Sequence, residues 1–200
     1  MILSPSFGAS AAISGLPYVS VFDDAIAPSV CRQLIQKFEE NVGGVQVETT
    51  FPGVRHFMEV DVSRHWNTEH EILVNYVQEA WKVYMQTHSI QFDIQWPKQF
   101  GYENFRMKQY LPNGRDEFSL HTDVGSYASA RRFLSFLWYL NTVEEGGSTQ
   151  FGFSQGKPQV TIPAVRGRLL VFPPLWTHPH WGNKPIGGPK YIISGYLHLL

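Results

Sequence analysis

The sequence has little that would cross-link it or carry it into a membrane. It holds one cysteine, Cys31, so neither an intrachain disulfide nor a cysteine metal cluster is available. Set in a helical pattern, Cys31 reads as a small buried residue rather than a nucleophile. Charged residues make up only 16% of the chain and sum to a net charge of −1. That excludes a general polyanion-binding surface, and no nucleic acid partner is expected. No apolar run approaches the ~18 residues of a membrane span. The segment 1–17 is mildly apolar but has no basic residue, so it is not read as a signal peptide. A soluble, cytoplasmic protein that does not bind membranes is the expectation. Internal repeats and low-complexity segments are also absent.

What is present is a chain of 200 residues, sized for one domain over residues 1–200. It is rich in aromatics at 14%, and its 17 Gly and 13 Pro are scattered rather than clustered. Such punctuation suits many short turns, not long bundles. Residues 1–17 read as an irregular arm and 18–22 as a short strand. A helix follows: Pro28 suits its first turn, Val30, Leu34, Phe38 and Val42 recur every four residues, and Gly43-Gly44 ends it. The 45–62 region reads as strands around a Pro52-Gly53 turn. Thr68 and Glu71 suggest a capping box for a second helix, whose apolar face runs from Ile72 to Met85.

From about residue 100 the texture changes. Residues 104–111 alternate, with Phe105, Met107 and Gln109 opposite Arg106, Lys108 and Tyr110. Residues 133–140 are nearly all apolar, as in a strand buried on both faces. Short strands are expected near 149–151, 159–162, 169–172 and 191–199, with glycines between them. The pattern predicts a mainly β, α+β protein: a jelly roll at about 100–199 with a helical and strand layer at about 18–99 packed on one sheet.

Two stretches carry chemistry. His121-Thr122-Asp123 sets a His and an Asp two positions apart, and on a strand such positions share a face. Alone, the pair arises too often by chance to mean more than a loop His and Asp. The second stretch, 167–180, reads as a turn, a buried strand and a break, delivering His178 and His180 to a strand end. Lys190 follows His180 by ten positions and opens the last apolar strand. A His–Asp pair with a distant His can form the facial triad that holds Fe(II) and leaves coordination positions open. Spacing leaves both His178 and His180 open as the third ligand. The histidines at 56, 65, 70, 88 and 198 read as structural or exposed.

This layout resembles the Fe(II)/2-oxoglutarate-dependent dioxygenases, in particular the prolyl 4-hydroxylase-like branch of the double-stranded β-helix fold. The resemblance runs over most of 18–199. It is carried by Tyr110-Leu111-Pro112 with Gly114, the HxD pair, the strand ending Trp138-Tyr139-Leu140-Asn141, the Glu145-Gly146-Gly147 hairpin, and Gly188 with Lys190 after His180. It implies that His121, Asp123 and His180 ligate Fe(II), with the interval to Lys190 favouring His180 over His178. It implies that Lys190 anchors the far carboxylate of 2-oxoglutarate and that Tyr110 and Tyr139 belong to the same pocket.

The implied reaction consumes O2 and 2-oxoglutarate, yields succinate and CO2, and hydroxylates an unactivated C–H bond, with ascorbate as an auxiliary reductant. A prolyl residue of a peptide or protein is the leading substrate, and a free amino acid or small metabolite the alternative. The loop after the HxD pair is expected to reach the substrate through Tyr127 or Arg132. Two other classes compete. A cupin-like metal protein would keep the histidines without needing Lys190. A jelly-roll binding module would use Trp176 and Trp181 as stacking platforms.

Overall fold

A computed structural model describes residues 11–200. Pro28 opens helix α1 (Pro28–Glu39), where its missing N–H removes no helical bond, and Cys31, Leu34 and Phe38 form the buried stripe. The helix stops short of Val42, because Asn41, Gly43 and Gly44 all take left-handed backbone angles (φ 46°, 85° and 61°). Two further helices, α2 (Val62–His65) and α3 (Asn67–Thr87), follow almost without a break, and α4 (Phe92–Gln95) is a single turn. The expected Thr68–Glu71 capping box is therefore not formed. The side-chain cap lies a turn earlier, where Asp61 accepts a hydrogen bond from the Arg64 amide at 3.1 Å, while Trp66 leads into α3 without a side-chain cap.

The strands are β1 (Ala11–Ala12), β2 (Ser20–Phe22), β3 (Val47–Phe51), β4 (Arg55–Asp61), β5 (Phe100–Tyr102), β6 (Arg106–Tyr110), β7 (Glu117–His121), β8 (Arg132–Tyr139), β9 (Thr149–Phe151), β10 (Val160–Ile162), β11 (Leu169–Phe172), β12 (His180–Gly182) and β13 (Lys190–Leu199). β1 pairs with β2, so the arm expected to be irregular through Pro17 is a strand in part; its first ten residues lie outside the described residues. The sheet order is β1-β2-β11-β8-β13-β6-β4-β7-β12-β9-β10, with β3 on β4 and β5 on β13. The sheet curls into a jelly roll at β4. Met58–Asp61 of that strand pair with β6, while Arg55 and His56 pair with β7. The N-terminal layer thus supplies strands to the roll as well as helices.

Strand alternation divides the buried residues into two cores. Leu134, Phe136 and Trp138 of β8, Leu169 and Val171 of β11, and Tyr191, Ile193 and Leu197 of β13 face α1 and α3. Their neighbours Tyr139, Leu170, Phe172 and Ile192 fill the roll with Phe57, Tyr110 and Phe151. The middles of these strands are largely apolar because both faces are covered. Gly195 marks the tightest contact on the helix side: a Cβ there would lie 2.4 Å from the Phe105 ring. Its φ is not positive, so the requirement is for space. Gly195→Ala is expected to cost about 1–3 kcal/mol by overpacking, measured by chemical denaturation, whereas the exposed Gly125→Ala should change stability little.

Among the described residues, no helix is long and apolar enough to cross a membrane.

Candidate active site

The two chemical stretches meet on adjacent strands. β12 pairs antiparallel with β7, and His180 is the register partner of His121. Their rings are 4.3 Å apart. Asp123 lies just past the end of β7, so it reaches the histidines from the turn and not from a shared strand face. Its carboxylate oxygens are 3.5 Å from His121 Nε2 and 3.7 Å from His180 Nε2. Ligand atoms of the three residues all lie within 4.8 Å of one another, and among the described residues this is the only such group of His, Cys, Asp or Glu.

Hydrogen bonds select the tautomers a metal needs. His121 Nδ1 donates to the Ser119 carbonyl at 2.7 Å, and His180 Nδ1 donates to the His178 carbonyl at 3.0 Å. Both Nε2 lone pairs are thereby left for an ion. Phe118 stacks on His121 at 3.6 Å and fixes the ring plane. Burial lowers the His180 pKa to about 4, with Asp123 opposing the shift, so this imidazole is neutral at neutral pH. Burial also pushes the Asp123 carboxyl upward, but His180 and His121 outweigh it and hold the group ionised. Neutral imidazoles and an ionised carboxylate are the protonation states that bind a divalent cation.

His178, the rival third ligand, has both ring nitrogens occupied. Nε2 donates to the Pro17 carbonyl at 2.7 Å, and Nδ1 lies 2.8 Å from the Thr177 hydroxyl. His56, read from sequence as structural or exposed, is buried and bridges two carboxylates, at 2.7 Å to Asp116 and 2.8 Å to Glu48. It ties β4 to the turn before β7. Trp181 is buried, with its indole N–H on Asn183, and cannot serve as an exposed stacking platform; Trp176 is exposed.

Two connected chambers meet at the His–Asp–His set. The inner one is bordered by Lys190, Tyr110, Thr149, Leu137, Phe172 and Ile192. Lys190 is 3% exposed, and its Nζ lies 5.5 and 5.6 Å from the ring centroids of Tyr110 and Tyr139. It has no carboxylate partner among the described residues, and burial alone pulls its pKa down to about 7. An ammonium so placed is costly unless an anion joins it. Burial keeps the Tyr110 phenol protonated and thus a donor. Tyr139 points its hydroxyl to Thr149 Oγ1 at 2.7 Å, so it orients that threonine rather than reaching into the chamber itself. A Cβ at Gly182 would sit in ordinary contact, 3.9 Å from both Lys190 Nζ and Phe118 Cβ.

The outer chamber is bordered by Arg55, Glu59, Glu103, Arg106, Arg132 and Tyr196. Arg132 binds Glu103 through Nε and Nη2, at 2.9 and 2.8 Å, donates from Nη1 to the Asp123 carbonyl at 3.0 Å, and stacks on Tyr196 at 4.0 Å. Tyr127 is 98% exposed on a 3-10 turn and borders neither chamber.

Sequence reasoning did not single out Tyr196, whose hydroxyl is hydrogen-bonded to Asp123, nor Lys108, which borders both chambers. Alternation could have found both. Tyr196 shares the inward parity of Lys190 on β13, and Lys108 that of Tyr110 on β6. Tyr196→Phe removes a donor from the Asp123 carboxylate and is expected to weaken Fe(II) or Mn(II) binding about 10- to 100-fold, read by anaerobic metal titration.

A His–Asp–His set beside a buried lysine with no carboxylate partner among the described residues suits a divalent metal and an acidic cosubstrate together. A sequence model described as the 2OG-Fe(II) oxygenase superfamily matches residues 105–198, the stretch that holds every one of these groups. Over this stretch the sequence matches the 2-oxoglutarate-dependent dioxygenases. The chain has the fold of the prolyl hydroxylases. A Trichoplax adhaerens prolyl hydroxylase, solved with a peptide fragment of the hypoxia inducible factor oxygen degradation domain, superposes with a TM-score of 0.68 at 16% identity, covering 90% of this chain and 83% of that one. A Pseudomonas putida prolyl-4-hydroxylase gives 0.64 at 17% identity, over 92% and 94%. A viral collagen prolyl hydroxylase from Paramecium Bursaria Chlorella virus-1, solved with 2OG, gives 0.61 at 18% identity, over 95% and 99%. No curated protein sequence matches the chain.

Proposed function

We propose that this dioxygenase hydroxylates a prolyl residue of a peptide or protein, with His121, Asp123 and His180 holding Fe(II) and Lys190 anchoring 2-oxoglutarate. The observation that carries the site assignment is Lys190. It is a buried ammonium without a counter-ion among the described residues, and it borders the same chamber as the His–Asp–His set. The likeness in fold to three prolyl hydroxylases supports the prolyl substrate.

When bound, Fe(II) with 2-oxoglutarate supplies the chemistry: oxidative decarboxylation to succinate and CO2, with one oxygen atom of O2 inserted into a C–H bond. The chain's own residues prepare the place for it. Ser119 and His178 carbonyls keep the two imidazoles in the ligating tautomer. Tyr196 and Arg132 restrain Asp123 at its carboxylate and its carbonyl. Lys190 offers a charge-assisted contact to the far carboxylate, with Tyr110 and Thr149 as neutral partners. Leu137, Phe172 and Ile192 exclude water around it. The substrate enters from the outer chamber, where Arg132 forms part of the wall. Its fork is occupied by Glu103, so its contribution to the substrate is to shape that wall; Tyr127 has no place in this arrangement.

The test is an anaerobic titration of Fe(II)-loaded protein with 2-oxoglutarate, followed by turnover with blocked prolyl peptides. A weak visible band of the chelate and peptide-stimulated succinate release are expected. A protein that forms no such band, or that forms it and hydroxylates no prolyl peptide, would overturn the cofactor assignment or the substrate assignment respectively.

A further inference from the structure

We propose that the substrate presents a carboxylate to Lys108 and Arg55 in the outer chamber. The proposal rests on the oxygenase reading above and narrows its substrate class. Lys108 and Tyr110 share the inward face of β6, two residues apart, which is ~7 Å along a strand. In the β6–β13 register Tyr110 pairs with Lys190 and Lys108 with Ile192. The two lysines therefore sit at different levels. Lys190 borders the inner chamber alone, and Lys108 borders both. One cation suffices for the far carboxylate of the cosubstrate, which leaves Lys108 for something else.

Its surroundings point outward. Lys108 Nζ lies 5.0 Å from the centroid of Phe57 and 6.0 Å from that of Phe118, and the Arg55 guanidinium lies 5.7 Å from the same Phe118 ring. Two cations thus flank the ring that stacks on His121. Among the described residues neither has a carboxylate in direct ion-pair contact, although Glu59 and Asp123 attract Lys108 from farther away. The acids nearby are engaged elsewhere. Glu59, across from Lys108 in the β4–β6 register, accepts from Thr49 at 2.7 Å and lies 3.8 Å from Arg106. Glu103 is held by Arg132. A neutral substrate that displaced water here would strip the Lys108 ammonium of solvent and give nothing in return. A carboxylate would supply charge-assisted bonds to both cations. The interior of a peptide chain carries no such group, so the acid comes from a small carboxylic acid or from an acidic side chain next to the target.

The test uses three probes on the Fe(II)·2-oxoglutarate protein under nitrogen: N-acetyl-L-proline, its primary amide, and acetyl-prolyl-aspartic acid α-amide, whose only acid is the side chain. Binding is read by calorimetry and by the shift of the chelate band. At least one acid is expected to bind 10-fold or more tightly than the neutral amide; the tighter acid identifies the source of the carboxylate. Lys108→Met should lower the preferred acid's affinity about 10- to 100-fold, and Lys108→Arg should retain the acid preference. Arg55→Met, at an exposed position, should lower it about 3- to 10-fold and does not depend on tolerance at the chamber wall. Equal binding of acid and amide by the wild type, including no binding of either, overturns the proposal. So does an acid preference that survives both methionine variants. Loss of the chelate band in Lys108→Met alone would place Lys108 in the cosubstrate pocket and overturn it too. A wild type without the band counts against the oxygenase site assignment instead, and calorimetry still reads the acid-to-amide ratio.

Discussion

His180→Ala is expected to abolish 2-oxoglutarate turnover and to lower Fe(II) affinity by at least about a hundredfold, because even the outer partners of metal ligands are worth 10- to 100-fold. His121→Ala and Asp123→Ala should behave alike, since the three groups converge on one point. The fold should survive: these side chains line a chamber rather than fill a core, and far-UV circular dichroism with a thermal melt would show it. His178→Ala is the discriminating control. Its ring holds the Pro17 carbonyl and the Thr177 hydroxyl, so its loss should cost about 1 kcal/mol of stability and spare iron binding. Iron lost in His178→Ala and kept in His180→Ala would reverse the assignment. Because His180 titrates near 4, iron binding at neutral pH should release no proton from it.

Lys190→Ala should raise the 2-oxoglutarate requirement about 10- to 100-fold, the worth of one charge-assisted contact of ~1.5–3 kcal/mol, with iron binding intact. Its pH dependence has a definite sign. Burial lowers the Lys190 pKa to about 7 in the free protein, and only the ammonium form attracts the carboxylate. A bound anion raises that pKa. Affinity for 2-oxoglutarate should therefore be level below pH 7 and fall as pH rises above it, with one proton taken up on binding at pH 8. Calorimetry in two buffers of different ionisation enthalpy reads that proton directly. Proton uptake that persists in Lys190→Ala, or a wild-type affinity that does not change between pH 6.5 and 8.5, would remove Lys190 as the anchor. In the free protein the linkage runs the opposite way: with the folded pKa below the unfolded one, the stability tied to this group falls as pH drops from about 10 to 7.

Much of this protein was determined by local sequence. Pro28 and the four-residue apolar period produce α1, the Pro52-Gly53 turn produces the β3–β4 hairpin, and the unbroken apolar run at 133–140 produces a strand covered on both faces. The resemblance to the dioxygenases, through the interval from His180 to Lys190, picked out residues that the fold brings to one chamber. Local signals acted there because each depends on a backbone preference or a face rule that operates within a few residues. They failed where neighbours in space decided. Asp61, not Thr68, caps the long helical segment because α2 runs into α3. Gly195 is glycine because the Phe105 ring, ninety residues earlier, occupies its Cβ position.

The site divides in the same way. The HxD spacing was visible, but not that Asp123 reaches its partners from beyond the strand end. Nor was it visible that His178 is claimed by a backbone carbonyl 161 residues away, or that Arg132 is claimed by Glu103 before any substrate arrives. Those outcomes follow from long-range register: β12 on β7, and β6 between β13 and β4. Register sets which side chains compete for one partner, and a linear sequence specifies the competitors without showing their distances.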